Sequence, residues 1–251
     1  MQKEERLSNI LDLVETRNFV SVEAISQEIG VSESTVRRDL SILSKQGKLV
    51  RYHGGARGIA EEKIALPMYI REAQNAGIKN KIAETAANLI CEDSVIFIDS
   101  SSSCFYLSKY LKHYHNIIVV TNSIALGSYL KSMNFKVYCL GGEMLDYASA
   151  TAGPIAIDAI SNFCIDVCFF SSYGINENGV IVDPAEAETQ LRRAVIENSS
   201  SSVFLCDNHK FGRNSSYVLS PLSNIDYMVT NGTVPREYYS MIRNEIISIK
   251  E

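Results

Sequence analysis

The chain has 251 residues, 46% of them apolar, and carries 24 Lys and Arg against 29 Asp and Glu, a net charge of −5 with its four histidines neutral. That length and apolar content suffice for a small N-terminal domain and one full-sized core, and the acidic total gives no sign of nucleic-acid binding by bulk charge. No apolar run approaches membrane-spanning length, and Met1 leads into a charged helical segment without a signal-peptide core, so no membrane partner and a cytoplasmic location are expected.

In chain order, Leu7, Ile10, Leu11 and Val14 recur at i, i+3, i+4 and i+7, the stripe of an amphipathic helix. Ser21 is a good N-cap, and Val22, Ile25 and Ile29 share one face of a second helix that Gly30 ends. Ser32 caps a third, with Val36, Leu40 and Leu43 at i, i+4 and i+7 and with Ser34, Thr35, Arg37, Arg38 and Ser41 on the outer face. Short hydroxyls and long guanidiniums are the groups that bond phosphate oxygens and guanine edges, so the unit reads as a helix-turn-helix. Lys48-Leu49-Val50-Arg51-Tyr52-His53 followed by Gly54-Gly55 reads as a strand and hairpin, a wing.

Charge is placed accordingly. Residues 34–57 hold six basic groups against Asp39 alone, a net +5, whereas residues 1–33 hold three basic and seven acidic groups, a net −4. A lone Arg-Arg pair is usually a solvated face, but here cap, turn, stripe and wing agree.

The run VSESTVRRDLSILSKQGKLVRYHGGA, residues 31–56, closely resembles the winged helix-turn-helix signature of the DeoR family of bacterial transcriptional regulators. The resemblance implies that Ser34, Thr35, Arg37 and Arg38 lie on a helix that reads double-stranded operator DNA. Lys48, Arg51 and His53 would belong to the wing. Asp39 matches the family's RRDL run and is expected to orient its neighbouring arginines. The head is expected over residues 1–57, a linker over 58–77, where periodicity fades and Pro67 interrupts, and a second domain over 78–251.

That second domain alternates helical stripes, such as Ile82, Ala86, Leu89 and Ile90, with short apolar runs whose ends are polar. Val95-Ile-Phe-Ile runs into Asp99-Ser-Ser-Ser-Ser, Ile117-Ile-Val-Val into Thr121-Asn-Ser, and Val137-Tyr-Cys-Leu into Gly141-Gly. Val167-Cys-Phe-Phe runs into Ser171-Ser-Tyr-Gly, Val203-Phe-Leu-Cys into Asp207-Asn-His-Lys, and Tyr227-Met-Val into Thr230-Asn-Gly. Unalternating apolar runs suit strands buried on both faces, which gives an α/β fold with a mainly parallel sheet. Asp183-Pro184-Ala185-Glu186 reads as a capping-box-like start for a helix through Arg193 and Ile196. Tyr238, Tyr239, Ile242, Ile246 and Ile247 read as a C-terminal helix, in the core or at an interface.

In such sheets ligands sit beyond the carboxyl ends of the strands. Asp99, Ser100, Ser101, Ser102 and Ser103 offer hydroxyls and backbone N–H groups at a strand-to-helix junction, suited to a phosphate. Gly141 and Gly142 permit close backbone approach, and Lys210 stands four residues past a strand end. The bland readings are a simple helix cap, an ordinary turn and a solvated lysine. Of the six cysteines, Cys139, Cys168 and Cys206 sit in apolar runs and read as buried thiols; neither Cys164 with Cys168 nor His113 with His115 has partners at metal-ligand spacing, so no metal and no cofactor are expected.

The stretch from Lys81 to Asn231, with TNS at 121–123, LGG at 140–142 and D-x-x-KFG at 207–212, is similar to the family's effector-sensing domain. That domain resembles ribose-5-phosphate isomerase in fold. The resemblance implies a phosphorylated sugar effector and brings Asn122 and Glu143 into the site. Departures are Ser101 in a loop that usually reads D-S-G-T-T, Ser171-Ser172-Tyr173-Gly174 where glycine and often aspartate are usual, and Asn231 where aspartate is common.

The function expected is therefore a repressor of a carbohydrate uptake or catabolic operon, acting as a homo-oligomer, a dimer or tetramer, since one recognition helix reads too few bases. A sugar-phosphate isomerase fused to a DNA-binding head is the alternative. It needs a carboxylate base, and the loop at 171–173 has none, leaving Glu143, Asp183 and Glu188 as substitutes. A constitutive architectural DNA binder would leave the polar loops without a role.

Overall fold

The structure is a computed structural model that describes residues 3–17, 19–46, 48–52, 54–58, 71, 74–145 and 148–249. It comprises two compact units, Met1–Gln74 and Asn75–Glu251.

In the first unit, α1 (Lys3–Thr16), α2 (Val22–Ile29) and α3 (Glu33–Lys45) close around Ile10, Val14, Val22, Ile25, Val36, Leu40 and Leu43. Ser21 Oγ accepts the Ala24 N–H at 3.1 Å, and Gly30, at φ 73°, ends α2 with its N–H on Ser26 O at 3.0 Å. The wing is the antiparallel pair β2 (Leu49–Tyr52) and β3 (Gly55–Gly58), and β1 (Val20–Ser21) adds a third strand on the far side of β3. Asp39 departs from expectation. It is buried, and its carboxylate accepts Arg6 Nε at 2.6 Å, so it pins α1 to α3 instead of orienting Arg37 and Arg38.

The second unit is built on seven parallel strands. They are β4 (Val95–Ile98), β5 (Ile118–Thr121), β6 (Lys136–Cys139), β9 (Ile165–Phe170), β12 (Ser199–Cys206), β14 (Tyr227–Asn231) and β15 (Glu245–Ile249), in the order β15-β14-β12-β9-β4-β5-β6. Alternating residues of each strand feed two cores. Ile96, Ile98, Val119, Val167, Phe169, Val203 and Leu205 meet α4 (Ala76–Ala87) and α6 (Ile124–Ser132) on one face. Phe97, Val120, Cys168, Phe170, Phe204 and Cys206 meet α7 (Pro154–Ile160) and α8 (Glu186–Glu197) on the other. A short helix, α5 (Ser102–Phe105), follows β4. A hairpin of β7 (Glu143–Met144) and β8 (Thr151–Ala152) follows β6. The antiparallel strands β10 (Gly174–Ile175), β11 (Val180–Asp183) and β13 (Tyr217–Pro221) form a small separate sheet.

From β4 the chain steps outward to β5 and β6, then returns to place β9 on the other side of β4. The β4/β9 junction is thus the switch point of the sheet, and the loops that follow these two strands diverge there.

Three expectations change. The C-terminal segment is one 3-10 turn, Arg236–Ser240, followed by β15, because Ile246, Ile247 and Ile249 are β-branched and pair in parallel with β14. Cys139 is exposed, since β6 is an edge strand; Cys168 and Cys206 are buried, and burial pushes the Cys168 thiol up to about 12. Finally, α8 starts at Glu186 after Ala185, and Asp183 Oδ1 receives the Ala185 N–H at 3.0 Å before the helix begins.

Candidate functional site

On α3, Ser34, Arg37 and Arg38 are exposed and Thr35 is half-buried. Ser32 Oγ accepts the Thr35 N–H at 3.4 Å and lies 2.9 Å from both the Ser34 and Thr35 hydroxyls, so the first turn is held as one hydroxyl cluster. Arg37 pairs with Glu33 at 2.9 Å, one turn back on the same exposed face. Lys48 and Arg51 are exposed, and Arg51 Nη1 donates to Ser41 Oγ at 2.5 Å, tying the wing to α3. His53 lies outside the described residues. Exposed cations beside donors on a helix N-terminal half are what groove contact requires.

In the second unit, the loop after β4 is held from three directions. Asn122 Oδ1 accepts the Ser100 N–H at 3.0 Å, and its Nδ2 donates to Ser100 Oγ at 3.2 Å and to Thr151 O at 3.0 Å. Thr151 Oγ1 in turn donates to Leu140 O at 2.7 Å, so the loops after β4, β5 and β6 are stitched together. Ser101 takes φ −72° and ψ 150°, an ordinary N-cap conformation, and its Oγ accepts the Cys104 N–H at 3.2 Å. Serine in place of the family's glycine therefore adds a cap without backbone strain. The amides of Ser102 and Ser103, the first two of α5, have no protein acceptor among the described residues.

Two ammonium groups belong to this network. Lys79, on α4 and only 5% exposed, donates to Ser102 Oγ at 2.9 Å. Lys210 donates to Ser171 Oγ at 2.6 Å and Ser172 O at 2.7 Å in the loop after β9. Glu143 is exposed on β7. Gly141 is exposed with room for a Cβ, whereas Gly142, at φ 132°, has none to spare: a Cβ there would meet Ala152 O at 2.4 Å. Its glycine is demanded by the β7–β8 hairpin.

Asp99 behaves differently from the serines that follow it. Its carboxylate is buried and accepts the Ser101 N–H, the Ser171 N–H at 3.3 Å and Arg192 Nε at 2.7 Å. Arg192, also buried, reaches Asp183 and Glu188 at 3.0 Å each. Glu188 accepts Ser100 Oγ at 3.2 Å, and Asp183 accepts the Tyr173 N–H at 3.2 Å. Burial disfavours the Arg192 charge, but Asp99, Glu188 and Asp183 outweigh it and raise its pKa well above the ordinary value. Burial raises the Asp183 carboxyl, against the pull of Arg192 and with Glu188 adding to the rise. Asp99 thus shapes both switch-point loops and presents no free oxygen outward.

Lys79 and Arg192 escaped the sequence reading. Lys79 sat in a helix read only for its apolar stripe, and Arg192 sat in a helix read only for its start and its course through Arg193 and Ile196. The signal was present in Glu188 and Arg192 at i, i+4. Among the described residues, no group of three or more His, Cys, Asp or Glu could hold a metal ion, and no helix is long and apolar enough to cross a membrane.

Comparison with known proteins agrees with this layout. The model of the DeoR-like helix-turn-helix domain matches residues 6–62, and that of the DeoR C terminal sensor domain matches residues 74–232. The glycerol-3-phosphate regulon repressor of Escherichia coli (strain K12) is 28% identical over 251 residues, spanning 100% of this chain and 99% of that protein. The HTH-type transcriptional regulator GolR of Listeria innocua is 28% identical over 247 residues, spanning 98% and 97%. A solved ribose-5-phosphate isomerase in complex with phospho-erythronic acid overlaps 54% of each chain, with 18% identity and a TM-score of 0.40. With both domain models matched in order, the chain belongs to the DeoR family of DNA-binding transcriptional regulators.

Proposed function

We propose that the protein is a repressor of a carbohydrate uptake or catabolic operon, that it works as a homo-oligomer in the cytoplasm, and that a phosphorylated sugar or polyol in the second unit controls it. The observation that carries the effector is the pair of uncommitted Ser102 and Ser103 amides at the switch point, with Lys79 on Ser102 and Lys210 on the neighbouring loop. Backbone N–H groups at a helix start and ammonium donors are the complement of a phosphate. Ser100 to Ser103, Gly141 and Lys210 would contact it, with Lys79 added from the structure; Asn122 and Asp99 would hold the loops, and Glu143 would face the sugar hydroxyls. Ser34, Thr35, Arg37, Arg38, Lys48, Arg51 and His53 would contact operator DNA. The relative named for the glycerol-3-phosphate regulon supports a small phosphorylated polyol.

An isomerase needs a carboxylate free to take a proton from carbon. Asp183 and Glu188, like Asp99, are bonded to Arg192, which leaves the exposed Glu143 as the remaining candidate base and favours sensing over turnover. Thermal-shift titration with glycerol 3-phosphate and pentose and hexose phosphates tests the reading, because a ligand of the folded state raises its melting temperature. A dose-dependent rise with a phosphate ester and none with the parent sugar is expected; no rise across the panel, or turnover of one member, would overturn it.

A further inference from the structure

The two edges of the large sheet are finished differently. β15 opens with exposed Glu245, preceded by exposed Arg243 and Asn244, charged and polar side chains of the kind that discourage pairing. β6, at the other edge, pairs only with β5 among the described residues and carries Tyr138 and Cys139 outward, 44% exposed in the case of Tyr138.

Apolar side chains flank this edge on both faces of the sheet. Tyr138 lies on the α7 face, 5.2 Å from the Phe163 ring, and the 69% exposed Ile155 of α7 approaches Gly141 just beyond the strand. Cys139 lies on the opposite face against Gly127 of α6, the helix that also carries the 42% exposed Tyr129. Met144 on β7 is 65% exposed. Four of the seven large apolar side chains exposed among the described residues therefore belong to β6 and its neighbours. Such concentration around a strand whose outer edge has no partner among the described residues is an association surface.

We propose that the β6 edge is where a second copy of this chain docks, the two β6 strands running antiparallel across a two-fold axis. The assignment of a second copy comes from charge. Exposed Lys136 opens β6, exposed Lys131 lies in the last turn of α6 before it, and exposed Glu143 stands beyond its end, so an antiparallel copy of the same edge brings each basic end to an acidic one. A two-fold contact is self-complementary in this way. It rests on the reading of paired recognition helices, and it puts Gly141 and Glu143 of the effector loops beside the contact.

Sedimentation equilibrium of the full chain tests the edge, with Tyr138→Lys and Ile155→Lys as variants. Should Tyr138→Lys fail to fold, Ile155→Lys decides alone, its side chain being largely exposed. The wild type is expected at two or more times the 27.9 kDa chain mass, and each folded variant at half the wild-type mass or less. Iodoacetamide should label Cys139 several-fold faster in the variants, with exposed Cys91 unchanged. A monomeric wild type, variants of wild-type mass, or equal Cys139 rates would overturn the proposal. Ile155→Lys that keeps its mass yet still shifts with sugar phosphates sinks the edge alone; variants of halved mass with no phosphate shift sink the sensor alone.

Discussion

Arginine is used in opposite ways by the two units. Arg37 and Arg38 stand exposed on α3, and the Arg37 guanidinium pairs with Glu33 on the same exposed face. Arg192 is buried, with Asp99, Asp183 and Glu188 sharing its guanidinium. An exposed ion pair is worth little and is readily exchanged for a phosphate, whereas a buried one is costly to break. The first unit therefore keeps its cations available to a partner, and the second has spent one to fix the loops through which it would meet a small anion.

Removing the buried cation is the harshest way to break that contrast. Arg192→Ala leaves three buried carboxylates without their partner, and the second unit is expected to lose about 3–5 kcal/mol, read by chemical denaturation. A variant as stable as wild type would mean that the network is not what holds the switch-point loops.

Arg37→Ala with Arg38→Ala should change stability by less than about 0.5 kcal/mol, since both are exposed. It should cost about 1–3 kcal/mol of operator affinity for each arginine, in fluorescence anisotropy with a labelled duplex. Retained affinity would remove them from the DNA-contacting set.

The smallest effect concerns pH. Because the Asp183 carboxyl is raised, its contribution to stability is present below its ordinary value of 3.8 and is lost as pH rises through the raised folded value. Asp183→Asn should therefore flatten the fall in melting temperature between those two values. An unchanged profile would assign the slope to another group.

Which parts of this were legible in the sequence follows from the range of the interactions. Ser21, Gly30 and Ser32 act on residues three or four away, and the α3 stripe faces a core made of its neighbours, so the helices of the head could be read locally. Polar ends of apolar runs likewise placed the serine loop at a strand terminus, because strand and loop are adjacent in the chain. Asp99 reaches Arg192 across 93 positions and Lys79 reaches Ser102 across 23, contacts that exist only once the sheet has formed. Asp39 was misread for the same reason, its partner Arg6 lying 33 residues back. The C-terminal strand was misread because Ile246 and Ile247 fit a helical stripe as well as a strand until β14 is there to pair with.

The central claim is that an anion in the loops after β4 and β9 governs the exposed arginines of α3. Titrating a phosphorylated sugar or polyol into the operator complex of wild type, Ser102→Asp and Lys210→Ala, followed by anisotropy, tests it most directly. The account predicts that one phosphate ester changes wild-type operator affinity by tenfold or more, about 1.4 kcal/mol of coupling, while both variants bind operator normally and ignore the ester. Variants that respond as wild type does would contradict it.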